Sequence, residues 1–196
     1  MFKNCPNVVV YGKKGTAIQK YCVDAGVPFK ALDADAACIS FPEGNLVLGV
    51  GQKYTPEIRI DSMAMLGNVT FSSSSSRVTV NKTTGALTAK KTGTATITAK
   101  AASGAKASYK VTVKAAPKSI SFKEKNITVS VGEFFRVEYV LPANTAASVS
   151  FKEENPYSVL EIHDDGTFRM IDPETTTLRV TTHNGKSATC TITALP

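Results

Sequence analysis

The sequence lacks the residues on which many catalytic and metal sites depend. It contains no tryptophan, two histidines and four cysteines among 196 residues. No Cys-x-x-Cys pair occurs, and no cysteine–histidine spacing suits zinc. No Gly-x-Ser-x-Gly segment marks a serine nucleophile. These absences disfavour a zinc site and the common forms of nucleophilic catalysis, and we expect no catalytic, cofactor-binding or metal-binding residues.

Long apolar runs are also missing. No stretch approaches the roughly 18–20 apolar residues that a membrane-spanning helix needs, so we expect no membrane insertion. The first ten residues, MFKNCPNVVV, do not show the basic-then-apolar pattern of a signal segment. We therefore expect either a cytosolic protein or a piece of a longer one.

Positive charge is present in excess but is unevenly distributed. The net charge is +7. Residues 1–32 contain five lysines and one aspartate, 33–116 contain ten basic and five acidic residues, and 117–196 contain eight basic and ten acidic residues. The first two thirds of the chain are therefore basic and the last third is mildly acidic.

The main positive feature is an internal repeat. Ile39-Ser40-Phe41 corresponds to Ile120-Ser121-Phe122, an offset of 81 residues, and LVLGVG at 46–51 corresponds to ITVSVG at 127–132. Val69-Thr70-Phe71 corresponds to Val149-Ser150-Phe151 at an offset of 80, so one loop differs in length. We predict a terminal unit at 1–32 and two domains of one type at 33–116 and 117–196.

Each copy has the pattern of a β domain. GTATITAK at 93–100 alternates strictly, which predicts a strand with threonines towards solvent and Ala95, Ile97 and Ala99 inward. We expect the preceding GALTA segment to be its neighbouring strand, and Phe135, Val137, Tyr139 and Leu141 to share one strand face. Turn dipeptides recur at Thr84-Gly85, Asp165-Gly166 and Asn184-Gly185. About seven short strands per copy predict a mainly β fold of two tandem immunoglobulin-like sandwiches.

The segment VTFSSSSSRVTVNKTTGALTAKKTGTATITAKA, followed by ASYKVTV, resembles the group 2 bacterial immunoglobulin-like domain of intimin- and invasin-type surface proteins. The second copy resembles it through SVGEFFRVEYVLPANTAASVSF and GKSATCTITA, and together the copies span about 39–196. The chain departs from the family, which usually has tryptophan where Phe71 and Phe151 stand. Pro56 lies in a predicted strand, where it implies an edge or a bulge.

Residues 1–32 have no counterpart in the repeat and predict a small α/β unit. Val8 to Tyr11 reads as a strand, Thr16 with Gln19 as a capping box, and Ala17, Ile18, Tyr21, Cys22 and Ala25 as an apolar helical stripe that Gly26 ends. A closing strand is expected at 27–32. The run FKNCPN is similar to the end of a leucine-rich repeat array of bacterial surface antigens.

The few candidates for chemistry have simpler interpretations. His163 beside Asp164-Asp165 has the residue types of an acid/base pair, but a hairpin turn is favoured, and His183 also precedes a turn dipeptide. The five serines Ser72–Ser76 predict a solvated loop. Asp33 and Asp35 predict a polar linker, and a calcium ion between domains stays open.

The lysines and cysteines are interpreted in the same way. Lys90, Lys91, Lys100, Lys106, Lys110 and Lys114 have no interleaved aromatics, so we expect solvated strand edges and no nucleic-acid binding. Cys38 and Cys190 predict small core residues and no disulfide within a sandwich. The pairing of Cys5 with Cys22 is left open.

The resemblance implies an exported bacterial surface protein that is not an enzyme. Its immunoglobulin-like modules would form a stalk or adhesion region that presents a leucine-rich recognition domain to a host protein, a glycan or a cell-wall polymer, and we expect a monomer. The alternative is a carbohydrate- or cell-wall-binding module accessory to an enzyme. An exposed aromatic row would favour this alternative, but the candidates Tyr54, Tyr109, Phe134, Phe151 and Tyr157 read mostly as core or isolated residues.

Overall fold

The computed structural model describes residues 8–13, 15–31, 39–60, 69–101 and 104–196. Contacts between Cα atoms divide the chain into two compact units, one of 1–46, 53–88 and 94–111 and the other of 47–52, 89–93 and 112–196. These units are made of discontinuous segments, whereas the predicted domains are continuous stretches that meet near residue 117. The predicted domain boundary therefore stays a prediction.

The N-terminal part forms the expected small α/β unit. Strand β1 (Val10–Gly12) pairs in parallel with β2 (Phe29–Ala31), and helix α1 (Ala17–Asp24) connects them. Gly26 has φ of 65°, the left-handed conformation that glycine adopts after a helix. The backbone N–H of Val27 then donates to the Cys22 carbonyl at 2.9 Å, which closes the last turn.

The predicted capping box and apolar stripe are only partly correct. The Thr16 hydroxyl donates to the Lys13 carbonyl at 2.7 Å and makes no cap hydrogen bond to α1. Gln19 does reach back, but its Oε1 accepts from the N–H of Gly15 at 2.7 Å. Of the stripe, Cys22 is buried, whereas Ile18 is exposed by more than a third of its surface. A pattern of apolar residues fixes the face of a helix but not what covers it.

The rest of the described chain is almost entirely β, which confirms the predicted fold class of immunoglobulin-like sandwiches. The first strand set, between 39 and 114, comprises β3 (Ile39–Ser40), β4 (Leu46–Gly49), β5 (Lys53–Tyr54), β6 (Arg59–Ile60), β7 (Val69–Ser73), β8 (Val78–Val80), β9 (Leu87–Ala89), β10 (Gly93–Ala101) and β11 (Lys106–Lys114). Its sheets have the orders β4-β11-β10-β7, β5-β9-β8 and β3-β6.

The second strand set, between 121 and 195, has the same number of short strands, more than the seven expected. It comprises β12 (Ser121–Phe122), β13 (Asn126–Ser130), β14 (Phe134–Phe135), β15 (Tyr139–Val140), β16 (Val149–Glu153), β17 (Leu160–Ile162), β18 (Phe168–Met170), β19 (Thr175–Thr182) and β20 (Ser187–Leu195). Its sheets have the orders β13-β20-β19-β16, β14-β18-β17 and β12-β15, so each sheet of the first set has a counterpart.

Burial along the strands follows the period of two. In β10 the side chains of Ala95, Ile97 and Ala99 are buried, and those of Thr94 and Thr96 are exposed, as the sequence predicts. Apolar clusters fill both units. That of the first unit contains Ile39, Val69, Phe71, Ala99 and Ala101, and that of the second contains Ile120, Phe122, Val159, Leu160, Phe168, Met170, Leu178, Val180, Cys190, Ile192 and Ala194.

Two predicted strand relations are wrong. The GALTA segment forms β9, which pairs with β5 in the three-stranded sheet and is not hydrogen-bonded to β10. The expected single strand at 135–141 is two short strands, because β14 pairs with β18 whereas β15 pairs with β12. Pro56 is buried at the corresponding place between β5 and β6, outside both strands, where it removes no ladder hydrogen bond.

Candidate functional site

The outer face of the sheet β14-β18-β17 carries a row of large side chains. Phe134 pairs with Arg169, and Arg169 pairs with Glu161 on its other side. Because directly paired residues of neighbouring strands point to the same face, these three side chains stand next to one another. The alternate residues Phe135, Phe168 and Met170 point inward and pack in the core.

Contacts within this row hold an exposed aromatic ring in place. The guanidinium carbon of Arg169 lies 5.3 Å from the ring centre of Phe134, which is a cation–π geometry. The Nε and Nη2 atoms of Arg169 lie 2.9 and 2.8 Å from Oε2 of Glu161. Phe134 remains 60% exposed. A large exposed ring on a hydrogen-bonded sheet is the kind of anchor that binding surfaces use. We call Phe134, Arg169, Glu161 and His163 the Phe134 cluster.

His163 completes this cluster at the turn between β17 and β18. Its ring centre lies 5.5 Å from that of Phe134, and its Nε2 lies 3.6 Å from Oε2 of Glu161. The Nε2 atom is buried, and no hydrogen bond to it is found among the described residues. His163 therefore packs at the end of the aromatic row.

Asp165, the other member of the suggested acid/base pair, stabilises the turn. Its Oδ1 accepts hydrogen bonds from the backbone N–H and the hydroxyl of Thr167 at 2.9 and 2.6 Å. These hydrogen bonds to the charged form lower the pKa of the Asp165 carboxyl below its usual value. Arg136 donates to the backbone carbonyl of Asp165 at 3.1 Å. The turn interpretation therefore explains these side chains.

Arg136 also lines a cavity of about 260 Å³. Ile127 and Phe135 line it together with charged side chains. The ammonium group of Lys123 pairs with the carboxylate of Glu138 at this cavity. Since both signs of charge line it, the cavity has no clear preference for an anion or a cation.

The remaining aromatic candidates differ in exposure. Tyr109 is buried and Phe151 packs on the core, so these two are structural. Tyr54 is half-buried and its hydroxyl donates to the Glu43 carboxylate. This hydrogen bond, together with burial, raises the pKa of Tyr54 to about 12. Tyr157 is 84% exposed, but no ring contact to it is found among the described residues.

His183 lies in the turn between β19 and β20, as expected. Its backbone N–H donates to the Ser148 carbonyl at 3.0 Å, and its Nε2 lies 3.0 Å from the Val50 carbonyl oxygen within the second compact unit. Asn184 beside it donates to the Pro117 carbonyl at 2.8 Å. These contacts are to backbone atoms, so they give His183 a structural role.

The five-serine run is only partly a loop. Ser72 and Ser73 belong to β7, which is a correction to the prediction. The Ser74 hydroxyl accepts from the Thr96 N–H at 2.9 Å, and the Ser73 hydroxyl donates to the Ser75 carbonyl at 2.9 Å. Serine hydroxyls that bond to nearby backbone shape turns. The run therefore forms the end of a strand and its following turn.

The positions of four lysines contradict the predicted edge role. Lys100 lies on β10, and Lys106, Lys110 and Lys114 lie on β11. Both are central strands of the order β4-β11-β10-β7. All four lysines are exposed, so they lie on the outer face of the sheet and not at its edge. Protection of a sheet edge cannot explain them.

Within the described part of the chain, the cysteines and the possible metal ligands form no further site. Cys22 and Cys190 are buried free thiols, and burial raises the pKa of Cys190 to about 11. Cys5, Cys38, Asp33 and Asp35 lie outside the described residues. Among the described residues, no three His, Cys, Asp or Glu side chains lie together as metal ligands would. The helix found in the described part is too short and too polar to cross a bilayer.

Comparison with known proteins gives fold similarity only. No family model matches the chain, and no curated protein matches it. The human desmocollin-1 ectodomain is similar with a TM-score of 0.36 and 10% identity over 87% of this chain and 44% of that chain. Domains 4 and 5 of the S-layer protein SbsC are similar with a TM-score of 0.34 and 14% identity, over 83% of this chain and 98% of that chain. A C-terminal fragment of intimin is similar with a TM-score of 0.32 and 16% identity, over 64% of this chain and 51% of that chain. That structure holds intimin in complex with the intimin-binding domain of the translocated intimin receptor. The chain spans less than half of the desmocollin ectodomain, and similarities this weak support no functional assignment.

Proposed function

We propose that the chain is a non-catalytic adhesion and spacer region of an exported bacterial surface protein. The observation that carries the proposal is the recurrence of the same three sheet orders in both strand sets. Each set encloses an apolar cluster and exposes mainly threonine, serine and charged side chains. Pleated modules of this kind supply stable surface and need little chemistry.

The finer assignments belong to the same proposal. The two strand sets are tandem group 2 bacterial immunoglobulin-like domains at 33–116 and 117–196, and residues 1–32 are the end of a leucine-rich repeat array. That array would contact a host protein, a glycan or a cell-wall polymer, and the chain itself would be a monomer located outside the cell. These assignments rest on the sequence resemblance described above.

Surface labelling tests the proposal directly. Antibodies raised against the chain should bind intact cells of the bacterium that produces it, and mild protease treatment of those cells should remove the signal. Labelling that requires permeabilised cells would show an intracellular protein and would contradict the proposal. Light scattering of the purified chain should give the mass of one copy.

A second candidate function is carbohydrate binding at the Phe134 cluster. An exposed ring fixed by Arg169 can stack on the apolar face of a sugar, and the free edge of Glu161 can accept hydrogen bonds from its hydroxyls. The Phe134 cluster is the observation that favours this function. Phe134 is neither a core residue nor an isolated one, because its exposed ring contacts Arg169.

A glycan array separates the two candidates. If the cluster binds sugars, Phe134→Ala should lower affinity for the retained glycan at least about tenfold, since truncating a hot-spot residue costs about 2 kcal/mol or more and every 1.4 kcal/mol is a factor of ten. Tyr157→Ala is the matched control, because Tyr157 is also an exposed aromatic but has no described ring partner. Equal loss in both variants, or no glycan retained by the unmodified chain, would exclude the cluster as a sugar site.

A further inference from the structure

The outer face of the first strand set's four-stranded sheet is basic and rich in hydroxyl groups. Lys106, Ser108 and Lys110 alternate on β11 with the inward residues Ala107 and Tyr109. On β10 the outward positions are Thr94, Thr96, Thr98 and Lys100. We call the surface formed by Lys100, Lys106, Lys110 and these hydroxyl-bearing residues the basic face. All of it belongs to the first compact unit.

Hydrogen bonds fix how β10 and β11 meet on this face. The hydroxyls of Thr98 and Ser108 lie 2.9 Å apart, and the Ala101 N–H donates to the Ala105 carbonyl at 2.9 Å. This register places Lys100 opposite Lys106. Lys110 follows four residues along the same strand, which at roughly 3.4 Å per residue is about 14 Å away. Lys100 and Lys106 therefore lie side by side on neighbouring strands, Lys110 lies further along β11, and all three are on the outer face of one sheet.

No acidic partner offsets these charges in the described part of the chain. The ion pairs found there join Arg59 with Glu57, Lys123 with Glu138, Arg169 with Glu161, and Arg179 with Glu154. None of them includes a lysine of the basic face. Like charges directly opposite each other destabilise a sheet, so folding alone disfavours this arrangement.

The second strand set shows that the fold does not require these lysines. At the offset of 81 residues, Lys100, Lys106 and Lys110 correspond to Thr181, Ser187 and Thr191. The sheet β13-β20-β19-β16 has the same order with uncharged side chains at these positions. The lysines are therefore a property of the first strand set and not of the architecture.

We propose that the basic face binds a linear anionic polysaccharide, a chain of sugars with carboxylate or sulfate groups at regular intervals. Lysine ammonium groups are strongly hydrated point charges that attract such groups without a fixed fork geometry. The hydroxyls of Thr96, Thr98 and Ser108 are donors and acceptors for sugar hydroxyls. The first strand set is then itself a binding module, which goes beyond a spacer role.

The same face is poorly suited to single-stranded nucleic acid. Nucleic-acid surfaces combine positive charge with aromatic side chains on which bases stack. The outward positions of β7, Thr70 and Ser72, are hydroxyl-bearing, as are those of β10 other than Lys100. No aromatic side chain is exposed on these strands in the described residues, so the polysaccharide is the better partner.

The test measures binding of the full chain to three probes. Chondroitin sulfate is the anionic polysaccharide, dextran is the neutral one, and an oligothymidylate is the nucleic acid. Calorimetry or interferometry between about 25 and 150 mM NaCl should show saturable binding to chondroitin sulfate that weakens with salt, and none to dextran. Tighter binding of the oligothymidylate at equal charge, or no binding of chondroitin sulfate, would overturn the proposal.

Two matched triple variants locate the site. Lys100→Gln, Lys106→Gln and Lys110→Gln together should lower affinity at least about tenfold and reduce the slope of log affinity against log salt by about two. A control variant removes the same charge at exposed lysines elsewhere, namely Lys20→Gln, Lys30→Gln and Lys186→Gln. The control should bind like the unmodified chain. Equal losses in the two variants would mean that net charge alone drives binding, and would overturn the site.

A gain-of-function variant makes the test independent of any loss of folding. Introducing Thr181→Lys, Ser187→Lys and Thr191→Lys into the first triple variant should restore salt-dependent binding at the second strand set. Failure to restore it would contradict the claim that this arrangement of lysines on the outer face of a sheet is sufficient for binding. Because the probes are soluble polymers, these results do not depend on where the protein resides in the cell.

Discussion

Glu153 is the residue whose substitution most sharply tests the packing of the second strand set. It ends β16, and its carboxylate accepts a hydrogen bond from the Thr176 hydroxyl at 2.8 Å. It also accepts from the backbone amides of Val159 and Leu160 at 3.2 and 3.3 Å. One carboxylate therefore connects β16 and β19 of the four-stranded sheet with the start of β17 in the three-stranded sheet.

The expected cost follows from the burial of the three donors. Thr176, Val159 and Leu160 are 3%, 2% and 5% exposed, so water cannot easily replace the lost acceptor. A buried donor left without a partner costs about 1–3 kcal/mol. Because Glu153 itself is only half-buried, some water will enter, and we take the lower end for each donor. Glu153→Ala should therefore destabilise the second strand set by about 3 kcal/mol.

Amide hydrogen exchange is the suitable assay, because the two compact units make a single unfolding transition an unsafe assumption. If the change acts locally, exchange at the amides of Val159 and Leu160 should accelerate about a hundredfold, since every 1.4 kcal/mol is a factor of ten. Glu154→Ala is the control. Glu154 forms an exposed pair with Arg179, which is worth less than about 1 kcal/mol.

The comparison of neighbouring glutamates decides the outcome. We expect a large acceleration of exchange in Glu153→Ala and a small one in Glu154→Ala. Similar exchange rates in the two variants would mean that the hydrogen bonds of Glu153 contribute little. A milder variant, Glu153→Gln, keeps one acceptor but turns a donor towards the Leu160 N–H, so its effect should lie between the other two.

Three further predictions concern single side chains. Tyr109→Phe should raise the free energy of unfolding by about 1 kcal/mol, because the Tyr109 hydroxyl is buried and no hydrogen bond to it is found in the described residues. A lower melting temperature of this variant would contradict the prediction. Cys190 should resist alkylation by iodoacetamide at pH 8 until the chain unfolds, because burial raises its pKa to about 11; fast labelling of the folded chain would contradict this. The Asp165 carboxyl, whose pKa is lowered by the hydrogen bonds from Thr167, should titrate below the usual range in NMR. Its contribution to stability should therefore be complete above the unfolded-state pKa and lost as pH falls through the folded-state pKa, and Asp165→Asn should remove this pH dependence.

The alternation of small apolar residues and threonines made the inward face of β10 predictable. Ala95, Ile97 and Ala99 are buried because a period of two leaves no other face for them. The offset of 81 residues likewise anticipates that β11 (Lys106–Lys114) and β20 (Ser187–Leu195) occupy equivalent positions in their sheets. The sequence pattern was therefore sufficient to predict which side chains are buried, because that depends on the residues of the strand itself.

Pairing between strands was not predictable in the same way. Alternation indicates which face of a strand is buried but not which sheet the strand joins, so the division of 135–141 into β14 and β15 went unrecognised. The predicted capping hydrogen bond of Thr16 is absent for a related reason. The Thr16 hydroxyl donates to the nearby Lys13 carbonyl and does not accept from the backbone of α1. In both cases two arrangements satisfy the sequence pattern, and contacts outside the segment select one.

The Phe134 cluster was missed although the sequence contained a signal for it. At the offset of 81 residues Phe134 corresponds to Lys53, which is exposed at the equivalent place in β5. An aromatic residue at a position where the other copy has an exposed lysine is a surface aromatic. Its contact with Arg169 could not be foreseen, because it depends on the pairing of β14 with β18.

The two strand sets differ in which of their equivalent positions the fold restricts and which it leaves free to vary. Equivalent inward positions such as Tyr109 and Cys190 differ in size, yet both are buried, so packing restricts them to residues that can fill a core. Outward positions have no such restriction, and there charge and aromaticity change: Lys53 against Phe134, and Lys106 against Ser187. Since neither state of these outward positions disturbs the shared sheet orders, their differences are not explained by folding. The basic face of one strand set and the Phe134 cluster of the other are therefore where two modules of similar architecture would differ in what they bind.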